Sequence, residues 1–255
     1  MSLATFEWGG GEATVVLLHG GGLSSREWTD LAPALALTYR VVAFDARGCG
    51  ESPADPELRY GAATIASDLE TIRVTRGLER FALVGHSFGA VSACIYAAEH
   101  PEQVTRLVLL DGGPANHVRP TSLENPPLSF PSRAEAERAL SRALPRGFPA
   151  WYLDSRFDTD EDGTLRWRSD MSGRVQWSRD GGEPLLPGLW AYVERLVMPT
   201  LVVHGADSPL FPLETAIKMG EMNPLVQVVD IADAGHFVHI DQPELVLAAI
   251  RTHLS

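Results

Sequence analysis

Residues 85–89 read Gly-His-Ser-Phe-Gly and follow directly on the apolar run Phe81-Ala82-Leu83-Val84. A helix-forming stretch, Ala90 to Ala98, comes next. A buried strand, a G-x-S-x-G turn and a helix in immediate succession form the pattern of a nucleophile elbow, and nothing else in the chain constrains its fold as much. The residue types follow from the geometry. Ser87 has to sit on a tight strand-to-helix turn whose strained backbone projects the hydroxyl from the sheet edge. Side chains on Gly85 or Gly89 would strike the neighbouring strand and helix, so both flanks are small. The following helix turns its N-terminus, the positive end of its dipole, toward charge that develops at the hydroxyl. The five residues alone also fit a glycine-rich turn with an exposed serine; the strand before and the helix after set this one apart.

Around the elbow, short apolar strands alternate with amphipathic helices, which predicts an α/β fold with a mostly parallel sheet flanked by helices. Val15–Leu18 and Val41–Phe44 read as buried strands, with a helix expected from Ser24 to Leu37 between them. Ile65, Leu69 and Ile72 stand at helical spacing in a helix that Gly77 stops. Leu107–Leu110 is a strand running into Asp111. Leu201–Val203, a helix over Leu213 to Met222, the strand Val226–Val229 and a last helix from Pro243 complete the series.

The stretch between these halves differs in character. It holds Pro120, Pro126, Pro127, Pro131, Pro145 and Pro149, and the aromatics Trp151, Tyr152, Trp167, Trp177 and Trp190, with no strong strand. A structureless loop of this length is improbable inside a compact domain. We therefore expect a core of residues 1–114 and 196–255 and an inserted, mainly helical cap over 115–195. Most of its aromatics glue cap to core, while Trp151, Trp167 and Trp177 are the candidates for a substrate pocket.

A chain of 255 residues is long enough for one sizeable core. The net charge of -12 argues against nucleic acid or an anionic membrane as partner, since both require a basic face. No apolar run reaches membrane-spanning length, and Met-Ser-Leu-Ala-Thr has no charged region followed by an apolar core. Cys49 and Cys94 make no disulfide framework and suit a reducing cytosol. A cytoplasmic monomer or small homo-oligomer is expected. No cluster has metal-ligand spacing, so neither metal nor organic cofactor is implied.

The chain resembles the α/β-hydrolase family over essentially its whole length. Besides the elbow, the resemblance rests on His19-Gly20-Gly21-Gly22, on Asp45-Ala46-Arg47-Gly48-Cys49-Gly50-Glu51-Ser52-Pro53, and on Gly235-His236 ahead of the Pro243 helix. It implies an oxyanion hole from the N–H of Phe88 and of Gly21, with Gly22 as second choice. Asp45 and Arg47 are expected to hold their loop by hydrogen bonds and ion pairing.

A serine hydroxyl requires a base. Among eight histidines, His236 stands where the chain order Ser–acid–His expects it. His239 falls outside the Gly-His position, His86 is structural by its place in the elbow, and His100, His117, His204 and His253 read as surface or capping residues. The acid is less direct. Its usual family position, three residues past the glycine in Gly205-Ala206-Asp207-Ser208-Pro209, holds Ser208. Asp207 is one residue early, and such a shift turns a side chain elsewhere. A subset of the family places the acid after the preceding strand, which here is Asp111. Asp111 is the first choice and Asp207 the alternative; a capping aspartate would also account for Asp111. Ser208 is expected to add a hydroxyl hydrogen bond that holds the imidazole.

The resulting expectation is a serine hydrolase acting through an acyl-enzyme on small carboxylic esters, thioesters or lactones. A C–C bond hydrolase using the same residues is the alternative, and a ligand receptor on a hydrolase scaffold is the alternative of another class.

Overall fold

Each apolar run sends alternate side chains to opposite sides, so two hydrophobic layers form from one set of strands. Val16, Leu18, Leu83, Leu107 and Leu109 enter one layer; Val15, Leu17, Val84, Val108 and Leu110 enter the other. The structure, a computed structural model, describes residues 2–114, 127–140, 150–179 and 188–255, with the side chains of 150, 151 and 177–179 outside that description.

In chain order the strands are β1 (Thr5–Trp8), β2 (Thr14–Leu18), β3 (Arg40–Phe44), β4 (Phe81–His86), β5 (Val104–Leu110), β6 (Ser129–Phe130), β7 (Phe157–Thr159), β8 (Leu165–Trp167), β9 (Thr200–Gly205) and β10 (Val226–Ile231). The helices are α1 (Leu31–Leu35), α2 (Ala62–Arg76), α3 (Phe88–Glu99), α4 (Arg133–Leu140), α5 (Ala150–Arg156), α6 (Met171–Arg179), α7 (Leu189–Arg195), α8 (Leu213–Met222), α9 (Val238–Asp241) and α10 (Pro243–Leu254). Seven strands form one sheet in the order β1-β3-β2-β4-β5-β9-β10. Only β1 runs antiparallel to its neighbour. Residues of α2, α3, α7 and α8 pack on one face, and those of α1 and α10 on the other.

The expected helix over Ser24 to Leu37 is broken. A 3-10 turn covers Ser25–Trp28 and α1 begins only at Leu31. Pro33 explains the break, because its ring clashes with the carbonyl four residues back and it offers no N–H. Gly77 does end α2, in the left-handed conformation at φ 63°. Against the expectation of no strand, the segment between β5 and β9 contains a three-stranded antiparallel sheet, β6-β8-β7, beside its helices. These strands have two or three residues each, too short for a period-2 pattern to show in sequence.

The loop after β3 is held as its composition suggests. Asp45 accepts the N–H of Ser25 at 2.6 Å and of Glu51 at 2.8 Å. Arg47 grips Asp68 through Nε at 2.8 Å and Nη2 at 2.5 Å, and also pairs with Asp55. All three side chains are buried. Breaking a buried, hydrogen-bonded ion pair strands the remaining charge. Arg47→Ala is therefore expected to lower unfolding free energy by about 3–5 kcal/mol, measured by urea denaturation; a loss within the scatter of surface substitutions would contradict this account of the loop.

Candidate active site

The elbow forms at the C-terminal end of β4. Ser87 adopts φ 52° and ψ -117°, a region a non-glycine residue occupies only when its surroundings enforce it. Its N–H is tied to the Leu110 carbonyl at 3.0 Å. A Cβ on Gly85 would stand 2.4 Å from the Gly89 carbonyl oxygen, and one on Gly89 2.4 Å from that of Leu18. Any side chain at either position would push the elbow apart.

Three side chains from separate elements meet here. His236, in the loop after β10, places Nε2 2.8 Å from Ser87 Oγ. Its Nδ1 lies 2.6 Å from Asp111 Oδ2. Asp111 follows β5, is fully buried, and also has φ above zero at 43°. It accepts the Gly205 N–H at 3.0 Å through Oδ1 and the Ser208 hydroxyl at 2.5 Å through Oδ2. The Ser208 hydrogen bond thus reaches the carboxylate, where the sequence suggested the imidazole. Asp207 is exposed, its N–H spent on the Ala234 carbonyl, while the two ring nitrogens of His236 face Asp111 and Ser87.

Across from Ser87, the loop after β2 is fixed by His19. Its Nε2 accepts the Ala46 N–H at 2.9 Å, so Nδ1 carries the proton donated to the Gly20 carbonyl at 2.8 Å. Among the described residues the N–H groups of Gly21 and Phe88 have no acceptor, and a Cβ on Gly21 would lie 3.3 Å from that of Phe88. The two first-choice donors, Gly21 and Phe88, are therefore both available and adjacent.

With this geometry in place, comparison with known proteins is decisive on family. The sequence pattern of the alpha/beta hydrolase fold matches residues 13–243. The chain belongs to the alpha/beta hydrolase family. It is 30% identical over 240 residues to a 2-hydroxy-6-oxo-6-(2'-aminophenyl)hexa-2,4-dienoic acid hydrolase of Metapseudomonas resinovorans, covering 90% of this chain and 80% of that protein. It is 27% identical to esterase YbfF of Escherichia coli, covering 94% and 92%. The solved structure of E-2-(acetamidomethylene)succinate hydrolase superposes with a TM-score of 0.83 at 26% identity, over 99% of this chain and 94% of that one.

In this alpha/beta hydrolase the segment between β5 and β9 brings an arginine beside Gly22, in the loop after β2. Arg156, at the end of α5, lies over the rings of Tyr152 at 5.3 Å and Trp167 at 5.1 Å. Its Nη2 would stand 3.7 Å from a Cβ on Gly22, and its Nη1 donates to the Tyr152 hydroxyl at 2.5 Å. Among the described residues it has no carboxylate partner. Trp167 packs on Phe157 and Phe130, with its N–H on the Pro127 carbonyl at 2.7 Å. It supports Arg156 as part of a small satellite core. The side chains of Trp151 and Trp177 lie outside the described residues.

Two features escaped the sequence. Arg156 had no motif to mark it, and Glu27 was one residue in an expected helix. His204, read as a surface residue, is buried in β9 with its ring between Asp230 and the Phe211 carbonyl. No helix among the described residues is long and apolar enough to cross a membrane.

Proposed function

We propose that the protein is a serine hydrolase, a reading carried by the continuous chain Ser87 Oγ–His236–Asp111 at 2.8 and 2.6 Å. Ser87 attacks an acyl carbonyl while His236 Nε2 takes its proton. The oxyanion forms between the Gly21 and Phe88 N–H groups, where fixed donors stabilise charge without reorganising. His236 then hands the proton to the leaving group, and a water activated the same way releases the acyl-enzyme. Asp111 fixes the imidazole tautomer and balances the imidazolium without itself taking the proton. Residues 115–195 act as the cap over this centre. Small carboxylic esters, thioesters and lactones are the substrates this arrangement suits. A fluorophosphonate probe tests the reading: it should label Ser87 alone, and labelling elsewhere or none at all would overturn it.

Burial lowers the His236 pKa below the ordinary 6.5, against the Asp111 hydrogen bond and with help from the nearby His86 charge. The neutral imidazole is the working form. Activity is therefore present above that pKa and lost as pH falls through it, so the acid limb of kcat/KM should lie below pH 6.5. A limb centred above 6.5 would contradict this assignment.

Arg156 favours a narrower reading, in which the substrate also bears a carboxylate. Its guanidinium lies beside the oxyanion loop and lacks an acidic partner among the described residues, and bidentate binding of a carboxylate suits that fork. Two of the relatives are named for acids, a hexadienoic acid and a succinate. This keeps C–C cleavage of an acidic dienone beside ester hydrolysis as the second reaction. Arg156→Met should raise KM at least about tenfold for carboxylate-bearing substrates and leave neutral nitrophenyl esters almost unaffected; equal effects on both would dismiss the carboxylate.

A further inference from the structure

Behind His236 lie charges that the proposed chemistry does not use. Glu27, in the turn before α1, is buried, and its Oε2 accepts the Gly20 N–H at 2.8 Å, one residue before Gly21. Its Oε1 stands 2.5 Å from His86 Nδ1 and 3.3 Å from His239 Nε2. His86, the residue before Ser87, is wholly buried, and its Nε2 lies 2.9 Å from the backbone carbonyl oxygen of His236. Both nitrogens of the His86 ring thus face oxygens that only accept. A carbonyl accepts a hydrogen bond from a protonated Nε2, and a carboxylate oxygen 2.5 Å away favours a second proton on Nδ1 through ion pairing, the contact itself lying outside hydrogen-bond geometry. That setting favours an imidazolium, whose ring centre lies 4.8 Å from that of His236.

Glu27, His86 and His239 gather their polar atoms within 4.8 Å, which invites a metal. Two ligands of one tetrahedral zinc stand about 3.3 Å apart when the bonds are ~2.0 Å. At 2.5 Å the carboxylate and Nδ1 are closed on each other as an ion pair.

We infer that Glu27 and His86 are positioning residues whose buried carboxylate–imidazolium pair braces the oxyanion loop against the loop of His236 and biases the His236 ring toward its neutral, proton-accepting form. One carboxylate reaches both sides of the site: Gly20 directly, and the His236 carbonyl through His86. The inference rests on the base role proposed for His236. The groups facing that ring are Asp111 at the end of β5, Ser87 at the elbow, His86 at the end of β4, with Glu27 and His239 of α9 behind His86. Asp111 favours the charged ring. Of the pair, the imidazolium acts on His236 more strongly than the carboxylate and opposes its protonation. Burial alone favours the neutral form of both members; their mutual attraction opposes it, lowering the Glu27 pKa well below its ordinary value and raising that of His86.

The test combines Glu27→Gln, which keeps shape and removes charge, with histidine magnetic resonance. In the unmutated protein the His86 ring should keep the nitrogen and carbon shifts of an imidazolium at pH 8, where an ordinary histidine is neutral. In Glu27→Gln it should become neutral, and the acid limb of kcat/KM should move up by about one pH unit with KM little changed. A neutral His86 in the unmutated protein overturns the proposal even if the variant fails to fold. An unmoved acid limb in a folded Glu27→Gln protein overturns it as well. The resonance measurement needs no turnover, so failure of the hydrolase reading, seen as an active Ser87→Ala protein, remains distinguishable from failure of this one.

Discussion

Ser87→Ala is expected to lower kcat on short-chain nitrophenyl esters by about 10⁶-fold while leaving the fold unchanged. The substitution removes one oxygen from a residue whose backbone, not its side chain, makes the elbow: the N–H still reaches Leu110, and the carbonyl still starts α3 through Ala90 at 3.0 Å. Alanine also tolerates the left-handed φ as well as serine does, so thermal unfolding should shift little. His236→Ala should cost about as much. The double variant should cost hardly more than either, because a nucleophile without its base and a base without its nucleophile are equally idle. Turnover close to that of the unmutated protein in either single variant would remove that residue from the chemistry.

Asp111→Asn is expected to lower kcat by about 10⁴-fold. An amide at this position retains a partner for the Gly205 N–H yet can present its NH₂ to His236 Nδ1. That stabilises the tautomer with the proton on Nε2, where it faces Ser87 and blocks proton abstraction. It also leaves the imidazolium without a counter-charge. Asp207→Asn, on an exposed side chain, should be nearly silent. Ser208→Ala should give a modest loss, since it removes one of the donors that orient the Asp111 carboxylate. Circular dichroism and urea midpoints come first, because Asp111 also links β5 to β9 through Gly205. A folded Asp111→Asn enzyme with normal kcat beside an inactive Asp207→Asn enzyme would move the acid to the later strand.

Legibility in the sequence follows the range of the interactions involved. The sheet was readable because each buried strand writes its own apolar run, and Ser87 because strand, turn and helix are contiguous. His236 and Asp111 were readable through chain order and a serine standing in the usual acid position. What the Ser208 hydroxyl touches was not readable, because two side chains compete for it across separate strands. Pro33 could have shortened the helix expected over Ser24 to Leu37. Glu27 and Arg156 carry no local signature at all: each matters only through residues far away in sequence, Glu27 through His86 and Arg156 through the loop at Gly22. Trp167 illustrates the same limit, since its indole became part of a small core once β7 and β8 paired.

The order in which the site's parts appear along the chain has a consequence for assembly. Ser87 and Asp111 terminate strands that lie side by side, β4 and β5, and are close in sequence. His236 arrives 125 residues beyond Asp111, after β9 and β10 have been added at the far edge. The proposed nucleophile and acid can thus be set by one βαβ crossover through α3, early and cheaply in loop entropy, whereas the proposed base depends on the slowest, most distant contacts. Recovery of the proposed hydrolytic turnover during refolding would then act as a clock for docking of the C-terminal strands, lagging behind any optical signal from the first half of the sheet.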